Sequence, residues 1–187
     1  MNVYDFDNTI YDGDSSIDFF LYALSRDWKI GLKIPGIFLL LIMNKMKLTS
    51  TERLKEHFFA FITHMENAEG EVQSFALKNM SKIKAWYLMG RSREDIIITA
   101  SPEFLVQAFM DHLEGQRCIG TRLDIRTGRI SGKNCRGDEK VIRYRELYGD
   151  KPVASFYSDS MSDMPMALLA EKAYLIKKEH IRIFTDP

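Results

Sequence analysis

The chain has 187 residues, 45% of them hydrophobic, and its 26 Lys+Arg balance 26 Asp+Glu to a net charge of zero. That length and apolar content suit one substantial domain, or a core domain carrying an insert. The charge balance leaves no global field to draw in nucleic acid, so no nucleic-acid partner is expected.

The two cysteines, Cys118 and Cys135, have neither metal-site spacing nor the density of a disulfide scaffold, and fit a reducing, cytoplasmic setting. A thiol at Cys135 would lie near the candidate site developed below. With Asp5 only four residues after Met1, no signal peptide is expected ahead of the first motif.

Residues 2–6 read as a short buried strand, and 7–15 as a loop rich in Asp, Gly and Ser. Asp14 or Ser15 is placed to cap a helix carrying Ile17, Phe19, Phe20, Leu21 and Leu24. The most apolar run, 34–43, contains Pro35 and Gly36 and is flanked by Lys29, Lys33, Lys45 and Lys47. Crossing a bilayer takes about 20 apolar residues, so no transmembrane helix is expected here. The run is expected either to pack as an apolar helix on its neighbours or to touch the inner face of a membrane through 29–47, its lysines reaching anionic headgroups. Thr49 or Ser50 caps the next helix, with Glu52 in its first turn and Leu54, Phe58, Phe61 and Ile62 at helical spacing. A third helix is predicted over 68–88, which makes 15–88 all-helical.

Ile96-Ile97-Ile98 is a β-branched run expected of a buried parallel strand. Pro102 suits the first turn of a helix over 103–112. Cys118-Ile119 marks a short strand, and 121–130 a hairpin around Arg126-Thr127-Gly128. A helix over 138–148, a strand over 153–157 ending at Ser158-Asp159, a helix over 164–170 and a strand over 173–176 complete the chain. Strand–helix alternation on both sides of one helical block predicts an α/β fold. Its core would be a Rossmann-like open, mostly parallel sheet (1–14 and 89–187), with a helical cap (15–88) inserted after the first strand.

Asp5 and Asp7 stand two apart at the end of the first strand, where a side chain and a backbone carbonyl can face a common cation. Carboxylates held this close repel unless a cation or proton intervenes, which points to a hard-metal site. In open α/β sheets ligands gather at the carboxyl ends of the strands. Thr99, the Lys140 region, Asp159 and Asp163 fall there too.

These residues carry a resemblance. Asp5-Phe-Asp-Asn-Thr9 resembles the nucleophile motif of the haloacid dehalogenase (HAD) superfamily, and Ile98-Thr99 its second motif. Asn134-Cys-Arg-Gly-Asp-Glu-Lys140 resembles the third and Ser158-Asp-Ser-Met-Ser-Asp163 the fourth, in order along the chain. The helical block between motifs one and two is similar to the cap of the phosphoserine phosphatase-like branch. The resemblance implies a Mg²⁺-dependent phosphomonoester hydrolase: Asp5 as nucleophile, Asp7 as general acid and base, Thr99 on a phosphoryl oxygen and Lys140 balancing charge. It further implies a metal held by Asp5, Asp159 and the Asp7 carbonyl, with Asp163 as a further ligand or an anchor behind them, and substrate contacts from Asn8, Ala100, Arg136 and Asp14. Dehalogenases of the superfamily lack the second aspartate and many P-type pumps carry threonine there, so Asp7 favours phosphate transfer with hydrolysis.

Alternatives stay open at four points. The third-motif cation is Lys140, or else Arg136 or Lys133. Ser101 either replaces Thr99 as the phosphate hydroxyl or caps the helix after Pro102. Asp14 either meets a substrate amine or caps its own helix. The substrate is a small phosphorylated metabolite; a lipid or polyprenyl phosphate is the rival, because Tyr157-Ser-Asp-Ser160 and the Cys135-x-Gly-x-Glu-Lys140 form resemble phosphatidylglycerophosphatase C. A phosphotransferase or mutase, and a non-catalytic phosphate-binding module, complete the expectations.

Overall fold

A computed structural model describes residues 1–113, 116–178 and 180–184. A six-stranded sheet runs in the order β3-β2-β1-β4-β5-β6. The strands are β1 (Asn2–Tyr4), β2 (Ile96–Pro102), β3 (Arg117–Thr121), β4 (Val153–Ser158), β5 (Ala170–Lys177) and β6 (His180–Ile183). The first five are parallel, and β6 returns antiparallel along β5. The fold is the expected α/β one, with a mostly parallel sheet. β1 lies mid-sheet, with Val3 opposite Ile96 on one side and Phe156 on the other, so its end sits between the ends of β2 and β4.

Side chains alternate across the strands. Val3, Ile96, Ile98 and Phe156 bury against Tyr144 of α7 (Asp138–Tyr148) and Met166 of α8 (Met164–Ala167). Tyr4 and Ile97 face the other way, into a cluster that reaches Phe109 of α6 (Glu103–His112) and then the helical block. In that block, α1 (Ser15–Arg26) contributes Phe19 and α4 (Ala68–Lys78) contributes Phe75. Phe19, Phe75 and Phe109 form a chain of ring contacts, Phe19 to Phe75 at 5.2 Å and Phe75 to Phe109 at 5.7 Å between centroids. The block therefore shares one continuous hydrophobic core with a face of the sheet.

Two helices lie farther out, α2 (Ile34–Lys45) and α3 (Thr51–Phe59). Gly36 of α2 faces the His57 ring of α3: a β-carbon there would lie 2.9 Å from Nε2, and the exposed ring would have to shift.

Several expectations are corrected. The helix predicted over 68–88 is broken: α4 ends at Asn79, whose side-chain amide donates to Phe75 O at 2.9 Å, a 3₁₀ turn follows, and α5 covers Ala85–Gly90. Helical periodicity loses here to a tertiary demand. Residues 82–84 pair with the loop after β1, through Asp12 N to Lys82 O at 2.9 Å and Lys84 N to Ile10 O at 2.8 Å. The hairpin expected at 121–130 is present but short: an antiparallel bridge of Leu123 with Ile130, flanked by Asp124 N–H on Arg129 O and Ser131 N–H on Arg122 O, around a turn that Asp124 holds through the amides of Arg126 and Thr127. Pro102 closes β2 and sits just ahead of α6 rather than inside its first turn. The helix predicted over 164–170 stops at Ala167, and Ala170 already belongs to β5.

Candidate active site

The loop after β1 wraps tightly. Asn8 takes a left-handed conformation (φ 56°), which asparagine tolerates better than most residues. Its carbonyl accepts from the buried Lys84 ammonium at 2.9 Å, and its N–H donates to Gly13 O at 2.9 Å. This fixes Asp5 and Asp7 at the floor of a cavity of about 470 Å³, which is also lined by Asn8, Asp14, Thr99, Ala100, Arg136, Lys140, Asp159 and Asp163. All of the sequence-predicted site residues thus meet in one place.

Asp5 is buried, and Oδ1 accepts from Lys140 Nζ at 2.7 Å. Lys140, 1% exposed, also donates to Asp163 Oδ2 at 2.7 Å. Burial alone would lower the Lys140 pKa, but the two carboxylates outweigh it and hold the ammonium charged. Lys140 is therefore the cation that meets Asp5, whereas the exposed Arg136 sits at the cavity rim with Nε on Ser162 Oγ at 3.2 Å, and Lys133 is exposed. Asp163 further accepts from Ser158 Oγ at 2.7 Å, so the second oxygen it offers is bound twice over. Thr9 Oγ1 accepts from the Asp159 N–H at 3.0 Å and lies 3.4 Å from Asp5 Oδ2, joining the ends of β1 and β4.

Asp7 occupies a different environment. Its Oδ1 accepts from the Ser15 N–H at 2.7 Å and its Oδ2 from the Ser101 hydroxyl. Burial pushes its pKa up to about 6, with Asp14 nearby adding to the rise and the Ser101 and Ser15 hydrogen bonds opposing it. Burial likewise raises Asp5, against the opposing pull of Lys140, and raises Asp159, against Lys177. Ser101 thus neither caps α6, which has no side-chain cap bond, nor is left free for a phosphate. Thr99 is buried at the cavity wall, its Oγ1 accepting from the Ser101 N–H at 3.1 Å. Asp14 caps α1 through the Ile17 N–H at 3.0 Å while also facing the cavity, so one residue meets both expectations of position. Cys135 is buried with its thiol raised to about 11 chiefly by burial, and it takes no place in the lining.

Lys55 carries no signal that reading along the chain could find. From α3 its ammonium donates to Ala100 O at 2.6 Å and to Asn134 Oδ1 at 2.7 Å, within the cavity. Burial lowers it to about 8, against the attraction of Asp7 and Asp14. On the same face of α3, Glu52 accepts from Asn134 N–H at 3.1 Å and Glu56 from Ile130 N–H at 2.9 Å. The spacing 52, 55, 56 was visible as helical, but its partners lie 45 to 82 residues away, and no periodicity reports them.

No three His, Cys, Asp or Glu side chains among the described residues group as a metal site. The donors implied here are two carboxylates, Asp5 and Asp159, and one backbone oxygen, that of Asp7. Mg²⁺ suits such a set because it keeps several waters and takes only one or two carboxylates. Burial is the main cause of the raised pKa of both Asp5 and Asp159, and it is a cost that a bound cation would offset.

The sequence pattern of the haloacid dehalogenase-like hydrolases matches residues 3–168. The chain belongs to that family. Protein CicA of Caulobacter vibrioides is 31% identical, over 92% of this chain and 84% of its own. A Bordetella pertussis protein of unknown function superposes with a TM-score of 0.70 at 18% identity, covering 92% of this chain and 87% of that one. A phosphoserine phosphohydrolase-like protein from Francisella tularensis gives 0.57 at 18% identity, over 96% and 90%. At these identities the two structures speak for the fold alone.

Proposed function

We propose that this HAD hydrolase is a Mg²⁺-dependent phosphomonoesterase that works through an aspartyl-phosphate on Asp5. The observation that carries the reading is the contrast between two neighbouring carboxylates. Asp5 is held by a buried, charged lysine, whereas Asp7 is held only by neutral donors, the Ser15 N–H and the Ser101 hydroxyl. Carboxylates whose surroundings differ in this way divide into nucleophile and acid–base roles.

Mg²⁺ held by Asp5, Asp159 and the Asp7 carbonyl would offset the charge of the incoming phosphate. Asp5 attacks phosphorus, the P–O bond to the alcohol breaks, and the proton on Asp7 goes to the leaving oxygen. Asp7, now a carboxylate, takes a proton from the water that cleaves the acyl phosphate and regenerates Asp5. Thr99 donates to a phosphoryl oxygen, and Lys140 balances charge on the nucleophile. Asp163 anchors Lys140 from behind, and Arg136, Asn8, Ala100 and Asp14 border the leaving group. Residues 15–88 act as the cap, with α2 and α3 as the wall over the cavity.

Purified protein is expected to release phosphate from p-nitrophenyl phosphate with Mg²⁺ and to stop in EDTA. No turnover in Mg²⁺ favours a binding module, and transfer to an added sugar alcohol in place of water identifies a phosphotransferase. Asp7→Asn separates the steps. A nitrophenolate leaves without a proton, so loss of turnover on an alkyl phosphate should exceed that on the aryl ester, by roughly 10²–10⁴-fold in the first half-reaction. Equal losses on both esters, seen in a pre-steady-state burst, argue against Asp7 as the acid.

The substrate is proposed to be a small phosphorylated metabolite. A second reading, an amphiphilic phosphate such as a lipid or polyprenyl phosphate, is favoured by the cap side of the cavity, where Ile17, Ile37, Leu41, Leu54 and Phe58 supply an apolar wall. A panel of phosphate esters graded in chain length decides between them.

A further inference from the structure

Between Trp28 and Leu48 the protein exposes nine large apolar side chains, among them Trp28 (71% exposed), Leu32, Phe38 (64%), Leu39, Ile42 and Leu48. Soluble monomers seldom leave a contiguous patch of this kind uncovered unless something binds it. The inner face of the segment is already used: Ile37 is buried, Gly36 lies against His57, and Ile37 and Leu41 line the catalytic cavity. Among the described residues nothing covers the outer face, so the alternative in which the helix merely packs on its neighbours accounts for only one side of it.

We propose that residues 28–48 form an in-plane docking surface for an anionic lipid bilayer. The charge pattern selects this occupant. Lys29, Lys45 and Lys47 are exposed at the two ends of the patch, and the segment holds no Asp or Glu. A twofold pairing with a second copy would bring the lysines of both chains around one apolar patch, with no opposite charge within it. An anionic headgroup layer meets those lysines while its acyl boundary takes the apolar side chains. Lys33 takes no part. Its ammonium is turned inward, donating to Ala60 O at 3.2 Å and lying 2.9 Å from His64 Nε2. No helix among the described residues is long and apolar enough to cross a membrane, so α2 would lie along the surface. Because α2 is also a wall of the cavity, docking sets the catalytic opening beside lipid. Docking needs no turnover, so it is tested independently of the phosphatase reading.

The full chain is sedimented with vesicles of phosphatidylglycerol and phosphatidylcholine, or of phosphatidylcholine alone. It is expected to pellet with the anionic vesicles and to be released by salt. The double variant Phe38→Glu/Leu39→Glu should stay in the supernatant while retaining its circular dichroism and its p-nitrophenyl phosphate turnover, since neither residue lines the cavity. Lys45→Glu/Lys47→Glu, outside the apolar face, should weaken binding more than about tenfold. Failure of the native chain to pellet with anionic vesicles overturns the proposal. So does equal pelleting of Phe38→Glu/Leu39→Glu, or a native dimer in sedimentation velocity that this variant dissociates, which would assign the patch to a second copy.

Discussion

Asp5→Asn should abolish phosphate release while leaving the protein folded. Removing a covalent nucleophile costs on the order of 10⁶-fold in kcat in a well-measured hydrolase, where the deleted group and its activators act as a unit. Here the loss compounds, because Asn also withdraws one of the two carboxylates proposed for Mg²⁺. The fold should survive, since Lys140 keeps its 2.7 Å contact with Asp163 when the Asp5 charge goes. Acid-quenching the native enzyme with a radiolabelled phosphate ester should trap a hydroxylamine-labile label on the protein. The variant should carry none. A variant that still turns over at a tenth of the native rate would remove Asp5 from the nucleophile's role.

Lys140→Met should instead strike stability and activity together. Lys140 is the buried cation shared by Asp5 and Asp163, and among the described residues neither carboxylate has another buried ammonium in contact. Removing one partner from a buried ionic cluster costs about 3–5 kcal/mol, because the remaining charges are left without compensation. The pH dependence follows from the signs. Asp7 rises on folding from 3.8 to about 6, and Asp5 rises too. Between about pH 4 and pH 6 the folded, metal-free protein therefore holds more protons than the unfolded chain. The contribution of these groups is fully present below about pH 4 and is lost as pH rises through the folded values. The melting temperature without metal should accordingly fall from pH 5 to pH 8 as far as these groups decide it, and the fall should be steeper in Lys140→Met, where Asp5 loses the ammonium that opposes its rise. Mg²⁺, which binds the deprotonated form, should recover part of the loss at pH 8 in the native protein. A melting curve of Lys140→Met that matches the native one at both pH values would contradict this account.

What could be read in advance was whatever depends on short-range pattern. The β-branched Ile96-Ile97-Ile98, the carboxylates at strand ends and the Asp14–Ser15 cap each lie within a few residues of the element they announce, and the structure brings them together. What escaped was long-range. The break after Asn79 exists because residues 82–84 serve the loop after β1, a demand invisible within 68–88. Ser101 reads as a cap because it precedes Pro102, yet its hydroxyl turns to an aspartate 94 residues earlier. Lys55 looks like any helix-surface lysine until β2 and the 130–134 loop are folded against it. β6 has all four residues exposed and therefore none of the alternation that marks a half-buried strand.

The place of β1 in the sheet has a consequence for the order in which the molecule is made. β1 is translated ahead of both of its neighbours in the sheet, which begin at Ile96 and Val153. Until both have emerged, β1 has an open edge on at least one side, and Asp5 has neither the Tyr157 carbonyl that accepts from its N–H nor the Lys140 ammonium. Contacts of such long sequence separation are slow to close. The nascent chain thus carries Asp5 and Asp7 in an unfinished setting until β4 has emerged, and the candidate site assembles long after its first two carboxylates are translated.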